Sequence, residues 1–161
     1  MDDDGLEELR NYFDIEGIKV VKNFHLTLKF LGDVKCVNKI KERLKEVKFK
    51  PFVLESKTIG FFPNADYIKV IWLGFRESDE LNELKNEIDR KLEGLIDKEQ
   101  REFKGHITIG RVKFVKDKKV LMDKIKQVKI PDFRFEVKEF KLIKSELTEE
   151  GPIYEDLGVF S

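Results

Sequence analysis

Two histidines are the residues of this sequence best suited to catalysis, and each is followed two residues later by a threonine. His25 and Thr27 lie in the stretch NFHLTLKFLGDV, and His106 and Thr108 lie in FKGHITIGRVK. The chain contains no other histidine. Both stretches alternate polar with apolar residues, which is typical of a β-strand with one buried face. Because residues i and i+2 of a strand share a face, each motif presents an imidazole beside a hydroxyl.

Such a set of side chains favours acid–base catalysis. An unperturbed histidine titrates near pH ~6.5, so close to neutrality one ring can accept a proton from water while another donates a proton to a leaving oxygen. Threonine hydroxyls donate hydrogen bonds to anionic oxygens. Two histidines without nearby ligand carboxylates make a poor metal site, so neither a metal nor another cofactor is expected.

A structural role for the histidines is the alternative. A single histidine in a strand is more often a structural residue with a satisfied hydrogen bond than a catalytic one, and duplication alone could preserve both motifs. A duplicated core would more readily keep apolar side chains there, because burying an imidazole without partners costs free energy. The paired motifs therefore favour function over a plain structural α+β domain, in which they would be a coincidence.

The composition indicates a single domain over residues 1–161. Hydrophobic residues make up 40% of the chain and include 14 Phe, which is enough to form a core. No apolar run is long enough to span a membrane, and a single cysteine, Cys36, cannot form an internal disulfide. We therefore expect a cytoplasmic protein. Charged residues reach 40%, almost all of them Lys, Glu and Asp, which is typical of a thermophile.

The charges balance overall but are unevenly distributed. The 32 Lys and Arg residues equal the 32 Asp and Glu residues, which argues against a general nucleic-acid coat protein. Residues 19–50 carry ten basic and three acidic side chains, and residues 99–129 carry ten basic and four acidic ones. Each motif thus lies in a basic block, which favours an anionic ligand, although Lys-rich helices facing water would give the same pattern.

The elements around the two motifs repeat along the chain. Helix-like stretches with apolar residues three and four apart follow the motifs, at 35–49 and 116–130. Further helix candidates precede the motifs, at 4–13 and 78–96, the second with Ser78 as its N-cap. Strand pairs close each repeat, 52–63 with 66–75 and 133–145 with 154–160. We therefore predict duplicated β/α units that form two lobes about a pseudo-two-fold axis, with the motif strands, at about 24–31 and 105–112, facing each other across a cleft.

The stretches HLTLKFLG and HITIGRVK resemble the paired H-x-T-x motifs of the 2H phosphoesterase superfamily. Within it they most resemble the RNA 2′,3′-cyclic phosphodiesterases, long called 2′-5′ RNA ligases. The resemblance covers both motifs, their spacing of 81 residues, the helix after each and the lobed repeat. It implies a bilobal α+β fold with two antiparallel sheets flanking a central cleft.

The resemblance also implies an activity. Relatives hydrolyse a 2′,3′-cyclic phosphate at an RNA end to a 2′-phosphate without a metal, and some join RNA halves through a 2′-5′ linkage. RNA ends with a 2′,3′-cyclic phosphate are therefore the expected partner, with tRNA fragments or small cyclic nucleotides as candidate substrates. A catalytically inactive or weak module that binds an RNA end or a nucleotide is the alternative to the enzyme.

Individual roles follow from the same resemblance. His25 would protonate the departing 3′ oxygen, His106 would activate water, and the non-bridging phosphate oxygens would be held by two hydroxyls, those of Thr27 and Thr108. Three basic residues are further candidates for substrate binding: Lys29, Lys104 and Arg111. Strand parity places Arg111 on the face opposite His106, unless the strand breaks at Gly110.

Two features depart from the family pattern. Members usually begin with a short apolar strand, whereas this sequence starts at MDDDGLEELRNYF, so we expect either a truncated start or a lobe that closes differently. Gly105 stands where relatives often have proline, and glycine loosens the backbone before the second motif but need not abolish catalysis.

Overall fold

The computed structural model describes residues 4–64 and 66–161. Within these ranges the chain forms four α-helices: α1 (Asp4–Phe13), α2 (Val37–Leu44), α3 (Asp79–Lys91) and α4 (Lys118–Gln127). The same ranges contain seven β-strands: β1 (Ile18–Val20), β2 (Phe52–Pro63), β3 (Ile68–Phe75), β4 (His106–Val112), β5 (Arg134–Val137), β6 (Phe140–Thr148) and β7 (Gly151–Phe160). In this described part of the chain, no helix is both long and apolar enough to cross a membrane.

The strands form two sheets. One is five-stranded in the order β1-β4-β3-β2-β5, and the other is the β6-β7 pair. The pairs β1/β4, β3/β4, β2/β3 and β6/β7 are all antiparallel. The predicted α+β class and the predicted strand pair 52–63 with 66–75 are thereby confirmed. Of the predicted pair 133–145 with 154–160, only the part in β6 pairs with β7, because β5 joins the five-stranded sheet. The pseudo-two-fold duplication and the central cleft stay predictions.

The chain divides into two compact units. The first comprises the chain up to Leu28 together with Leu54–Glu77 and Phe103–Phe135, and the second comprises Lys29–Val53, Ser78–Glu102 and Glu136–Ser161. Both His-x-Thr motifs therefore belong to the first unit. The sequence pattern predicted one motif in each of two lobes, and the structure differs because the first motif forms a backbone bridge to the second.

The core of the first unit lies on one face of the five-stranded sheet. Helix α1 presents Leu6, Leu9 and Phe13, three and four residues apart, and all three are buried. Leu121 of α4 joins the same cluster, and so do the alternating apolar residues of β3 and β4: Ile71, Leu73, Ile107 and Ile109. Burying one such side chain contributes about 1.5–3 kcal/mol, so this packing fixes which face of each strand points inward.

The second unit contains two helices in contact with each other, α2 and α3. Helix α3 begins at the predicted cap, where the Ser78 side chain accepts a hydrogen bond of 3.1 Å from the backbone N–H of Leu81. The same helix carries an ion cluster in which Lys29 Nζ and Lys85 Nζ lie 2.9 and 3.1 Å from Oδ1 of Asp89. Both lysine side chains are only 5% exposed.

Some element boundaries agree with the sequence pattern and others do not. The predicted helix 4–13 and strand 52–63 coincide with α1 and β2. The predicted strand 133–145 is divided between β5 and β6. Strand β1 was not predicted, because its three residues are too short to show an alternating pattern. The first motif region, 24–31, forms an isolated bridge at Leu26 rather than a continuous strand.

The ion cluster makes the stability of this protein sensitive to acid. Burial by itself raises the pKa of Asp89, but hydrogen bonds and charges from Lys29 and Lys85 outweigh it and hold that pKa below its ordinary value. A carboxyl group with a depressed pKa stabilises the native state above its unfolded pKa, and this contribution is lost as pH falls through the folded value. We expect Asp89→Asn to lower the free energy of unfolding at pH 7 by about 1–2 kcal/mol, a modest figure because the carboxylate is 39% exposed and screened by water.

Urea denaturation of both proteins at pH 7 and pH 3 checks this expectation. The difference between wild type and Asp89→Asn should be smaller at pH 3 than at pH 7, because the stabilising charge is progressively lost as pH falls toward and through the lowered pKa of Asp89. Asp97→Asn is the matched control, because Asp97 is exposed and forms no ion pair within the described part of the chain. A difference that is the same at both pH values would contradict the assigned cause.

Candidate active site

The two His-x-Thr motifs lie on neighbouring segments of the first unit. Leu26 forms an antiparallel bridge with Ile107. When this register is extended by one residue on each side of the bridge, each histidine lies opposite the threonine of the other motif. His25 is then opposite Thr108, and His106 is opposite Thr27. Side chains directly opposite in an antiparallel pair have Cβ atoms roughly 5 Å apart. The two imidazoles and two hydroxyls therefore occupy the corners of one four-residue square, which we call the motif square.

The motif square faces away from the core. Leu26 packs against the core of the first unit, and its bridge partner Ile107 is fully buried within it. Neighbouring residues of an extended chain point to opposite faces, so the histidines and threonines lie on the other side of the sheet. His25 is exposed, and the other three members are half-buried. The alternation predicted from the sequence thus places all four side chains on one accessible face.

Each imidazole is oriented by the carbonyl group two residues before it. Nδ1 of His106 lies 2.7 Å from the carbonyl oxygen of Lys104, and Nδ1 of His25 lies 3.4 Å from that of Asn23. A carbonyl oxygen only accepts, so Nδ1 carries the hydrogen in both rings. Nε2 is therefore the nitrogen that gains or loses the proton in each ring.

The threonine hydroxyls supply hydrogen-bond donors to the same square. Within residues 4–64 and 66–161, neither the Thr27 nor the Thr108 hydroxyl has a hydrogen-bond partner. Each hydroxyl can therefore donate to an oxygen of a bound anion without breaking an existing bond. In the part of the chain that the structure covers, no group of three or more His, Cys, Asp or Glu side chains is placed to hold a metal ion.

Two aromatic rings border the motif square on the β3 side. Trp72 pairs with Thr108 across β3 and β4, and Phe62 stacks on the Trp72 ring at 4.9 Å and 27°. The His106 ring contacts both edge-on, with centroids 5.2 Å from Phe62 and 5.8 Å from Trp72. Trp72 is only 4% exposed, so its ring is held in place by its neighbours and in turn restricts the orientation of the His106 ring.

Lys104 and Lys29, both predicted to bind substrate, have different surroundings. Nζ of Lys104 lies over the Trp72 ring, 4.7 Å from its centroid, which holds an exposed cation on the same side as His106. Lys29 belongs to the second unit, where its Nζ is committed to the buried ion pair with Asp89. Substrate contact by either lysine stays a prediction, and the surroundings of Lys29 indicate a structural role instead.

A β-bulge interrupts the alternation of β4 after the motif. Thr108 pairs with Trp72 of β3, but the preceding residue of β3, Ile71, pairs with Gly110. Ile109 is therefore an extra residue in β4, and both Ile109 and Gly110 are buried. A bulge of this kind shifts all later side chains by one position relative to the faces of the sheet.

The bulge moves Arg111 to the face of the motif square. Val112 packs against the core, so Arg111 points away from it, as Thr108 and His106 do. Simple parity placed Arg111 on the opposite face, and that expectation is wrong because it counted Ile109 as a paired residue. The strand does not break at Gly110, the exception considered from the sequence; it continues to Val112, and the extra residue Ile109 changes the parity instead. The exposed guanidinium is thus available to an anion beside the square.

The family of the chain follows from comparison with known proteins. A family model described as the 2′-5′ RNA ligase superfamily matches residues 3–149. The chain belongs to the 2′-5′ RNA ligase superfamily. The superfamily that the stretches HLTLKFLG and HITIGRVK indicate is thereby confirmed.

Relatives within the superfamily include curated proteins that the chain matches over nearly their full length. A Methanocaldococcus jannaschii protein named RNA 2′,3′-cyclic phosphodiesterase is 46% identical over 154 residues, which cover 93% of this chain and 88% of that protein. An Archaeoglobus fulgidus protein of the same name is 38% identical over 168 residues, which cover 98% and 94%.

Solved structures of similar fold include two at 25% identity. A Thermus thermophilus protein has a TM-score of 0.78 and covers 96% of this chain and 88% of its own. E. coli LigT complexed with 3′-AMP has a TM-score of 0.71 and covers 94% and 90%. The fold described above is therefore similar to the folds of these two solved structures.

Gly60 leaves the space that the Trp72 ring occupies. A Cβ atom on residue 60 would overlap the indole ring of Trp72, which lies directly on this glycine of β2. We expect Gly60→Ala to displace the ring and lower the free energy of unfolding by about 1–3 kcal/mol, as overpacking does. Turnover should fall as well, because His106 packs against the same ring.

Thermal denaturation and an activity assay of Gly60→Ala check this expectation together. Lys57→Ala, a change at an exposed position of the same strand, is the control and should alter neither quantity appreciably. A Gly60→Ala protein with wild-type stability and turnover would show that the position of Trp72 does not support the site.

Proposed function

We propose that this protein is a metal-independent RNA 2′,3′-cyclic phosphodiesterase that hydrolyses the cyclic phosphate at an RNA end to a 2′-phosphate. The observation that carries the proposal is the antiparallel register of Leu26 with Ile107, which gathers both His-x-Thr pairs on one face. The relatives from Methanocaldococcus jannaschii and Archaeoglobus fulgidus bear the name of this activity. The composition of the chain supports action in the cytoplasm, and the RNA end enters the central cleft that the bilobal family fold implies.

The reaction requires one proton acceptor and one proton donor. Nε2 of His106 takes a proton from water, and the water oxygen forms a bond to phosphorus. The bond between phosphorus and the 3′ oxygen breaks, and Nε2–H of His25 gives its proton to that oxygen, which leaves a 2′-phosphate. The assignment of His106 as base and His25 as acid follows the family resemblance. The Nδ1 contact of His106, 2.7 Å to a carbonyl oxygen, keeps the hydrogen on that nitrogen and leaves Nε2 as the atom that can accept a proton from water.

The remaining groups act on the phosphate itself. The hydroxyls of Thr27 and Thr108 donate to the non-bridging oxygens, where negative charge builds up in the transition state. Removing one such donor from a preorganised site typically costs about 10²–10³-fold in turnover. Arg111 and Lys104 add positive charge on the same side of the sheet, which attracts the substrate and offsets the charge of the phosphate.

Formation of a 2′-5′ linkage is a second candidate activity, favoured by the superfamily to which the chain belongs. With the same two histidines in the same roles, His106 would deprotonate a 5′ hydroxyl group in place of water, and that oxygen would form a bond to phosphorus. The bond to the 3′ oxygen would break and His25 would protonate that oxygen, so that two RNA ends are joined. The working direction then depends on whether water or an RNA hydroxyl occupies the position next to His106. A module that binds RNA ends without turnover is disfavoured, because all four groups of the motif square are present and both imidazoles are oriented by carbonyl groups.

Removing either histidine should abolish most turnover without unfolding the protein. We expect His25→Ala and His106→Ala to lose about 10²–10⁴-fold in kcat, the usual contribution of a positioned acid or base. The assay is hydrolysis of an oligoribonucleotide ending in a 2′,3′-cyclic phosphate, in excess chelator, with the phosphate position of the product determined by phosphorus NMR. Lys126→Gln, an exposed change on α4, is the control for handling and expression.

The pH dependence of the residual activity separates the two roles. Wild-type turnover should be bell-shaped, because the base must be neutral and the acid protonated at the same time. His106→Ala should lose the decline at low pH, and His25→Ala should lose the decline at high pH. The reverse result would exchange the roles, and loss of wild-type turnover in chelator or a 3′-phosphate product would reject the proposed reaction.

A further inference from the structure

Three cations lie beside the motif square, on the same face of the five-stranded sheet. Lys19 of β1 pairs directly with Arg111 of β4. Lys113 follows the end of β4, and its backbone N–H donates to the carbonyl oxygen of Gly17 at 2.6 Å, which continues the pairing by one step. All three side chains are exposed. We call Lys19, Arg111 and Lys113 the cationic strip.

The direction of these side chains follows from their neighbours. Ile18 is buried in the core of the first unit and Val20 packs against it, so Lys19 between them points to the opposite face. Val112 packs against the same core, so Arg111 and Lys113 on either side of it point away as well. The cationic strip therefore continues the face that carries the motif square, and it starts at Arg111, the first residue beyond the bulge.

The pairing of Lys19 with Arg111 is unfavourable for folding. Like charges directly opposite each other on neighbouring strands destabilise a sheet, and an acidic residue at either position would relieve the repulsion. Within the described residues, no member of the strip forms an ion pair, whereas nearby Lys116 is bonded to Glu16 at 2.7 Å. An anion bound between the two side chains would relieve this repulsion, so the strip favours an anionic ligand.

The position of the strip identifies this anion. The strip begins at Arg111. Because Ile109 is the extra residue of the bulge, Arg111 lies two pairing positions from Thr108 on the same face, which is about 7 Å at 3.3 Å per residue. A substrate whose terminal phosphate lies at the motif square presents its next negative charge in the phosphodiester of the same strand. Lysine and arginine on a flat face contact phosphates rather than base edges, so this binding carries no base sequence preference.

On the basis of the function proposed above, we propose that Lys19, Arg111 and Lys113 bind the phosphodiesters upstream of the terminal cyclic phosphate. The enzyme then selects an RNA strand over a free 2′,3′-cyclic mononucleotide. Lys19 is the member that neither motif contains, and it lies on the short strand β1, which pairs with the motif strand β4.

Kinetics as a function of salt test the strip. The substrates are a short oligoribonucleotide ending in a 2′,3′-cyclic phosphate and a 2′,3′-cyclic mononucleotide. For the oligonucleotide, the slope of log kcat/KM against log salt concentration should become shallower by about 0.7 in Lys19→Gln, the value for one phosphate contact on a single strand. The ratio of kcat/KM for the oligonucleotide to that for the mononucleotide should fall several-fold. Lys126→Gln removes the same charge from α4, which packs on the core face, and should retain the wild-type slope and ratio.

Charge reversal separates binding from a structural role. Lys19→Glu places an acid opposite Arg111, so the protein should gain roughly 1–3 °C in Tm while its kcat/KM for the oligonucleotide falls further than in Lys19→Gln. A purely structural lysine would not produce a more stable protein that is a worse enzyme on RNA alone. Wild-type salt slope and substrate ratio in both variants would overturn the proposal.

Failure of the proposed function would be recognised separately. If wild type hydrolyses neither substrate, the proposed activity is wrong, and the strip is then tested by fluorescence anisotropy with the same oligonucleotide ending in a 3′-phosphate. Weaker binding with a shallower salt slope in Lys19→Gln than in Lys126→Gln would support the strip as an RNA site. Equal binding by the two variants would overturn it.

Discussion

The site depends on one backbone pairing, the antiparallel bridge of Leu26 with Ile107. Apolar contacts on the core face hold this register, because both residues pack in the core cluster. A slip by one residue would turn the histidines into the core and the leucines and isoleucines to water. The geometry of the catalytic groups is thus a consequence of hydrophobic packing on the other side of the sheet. The backbone carbonyls then orient the rings, since each Nδ1 faces the carbonyl two residues earlier.

Several residues on the site face reduce stability rather than add to it. Lys19 and Arg111 repel each other across two strands, and Nε1 of Trp72 is buried with no hydrogen-bond partner in the described part of the chain. The Trp72 ring also requires glycine at position 60 beneath it. On the core face, by contrast, residues such as Leu73 and Ile109 are fully buried and apolar. Local rules of stability are obeyed on one face of the sheet and broken on the other, which is the pattern expected where a surface is shaped for a ligand.

Local elements were predictable from the sequence wherever a periodic pattern ran for several residues. Helix 4–13 shows helical spacing over its whole length, strand 52–63 ends at a proline, and Ser78 is a cap whose hydrogen bond lies within one turn. Strand β1 is only three residues long, so no alternation marked it. The run 133–145 contains two strands of different sheets, and strand propensity does not tell which partner a strand will choose.

By itself the sequence determined the chemical groups, their spacing and the face that each motif presents, because these follow from residue type and strand alternation. It also carried the superfamily, through two short motifs 81 residues apart. The tertiary structure alone decided that both motifs lie side by side in one unit, that the bulge at Ile109 directs Arg111 to their face, and that Lys29 is bound to Asp89. Each of these features depends on contacts between residues far apart in the chain. Such segments pair in the register that buries the most apolar surface, and no local sequence pattern contains that information.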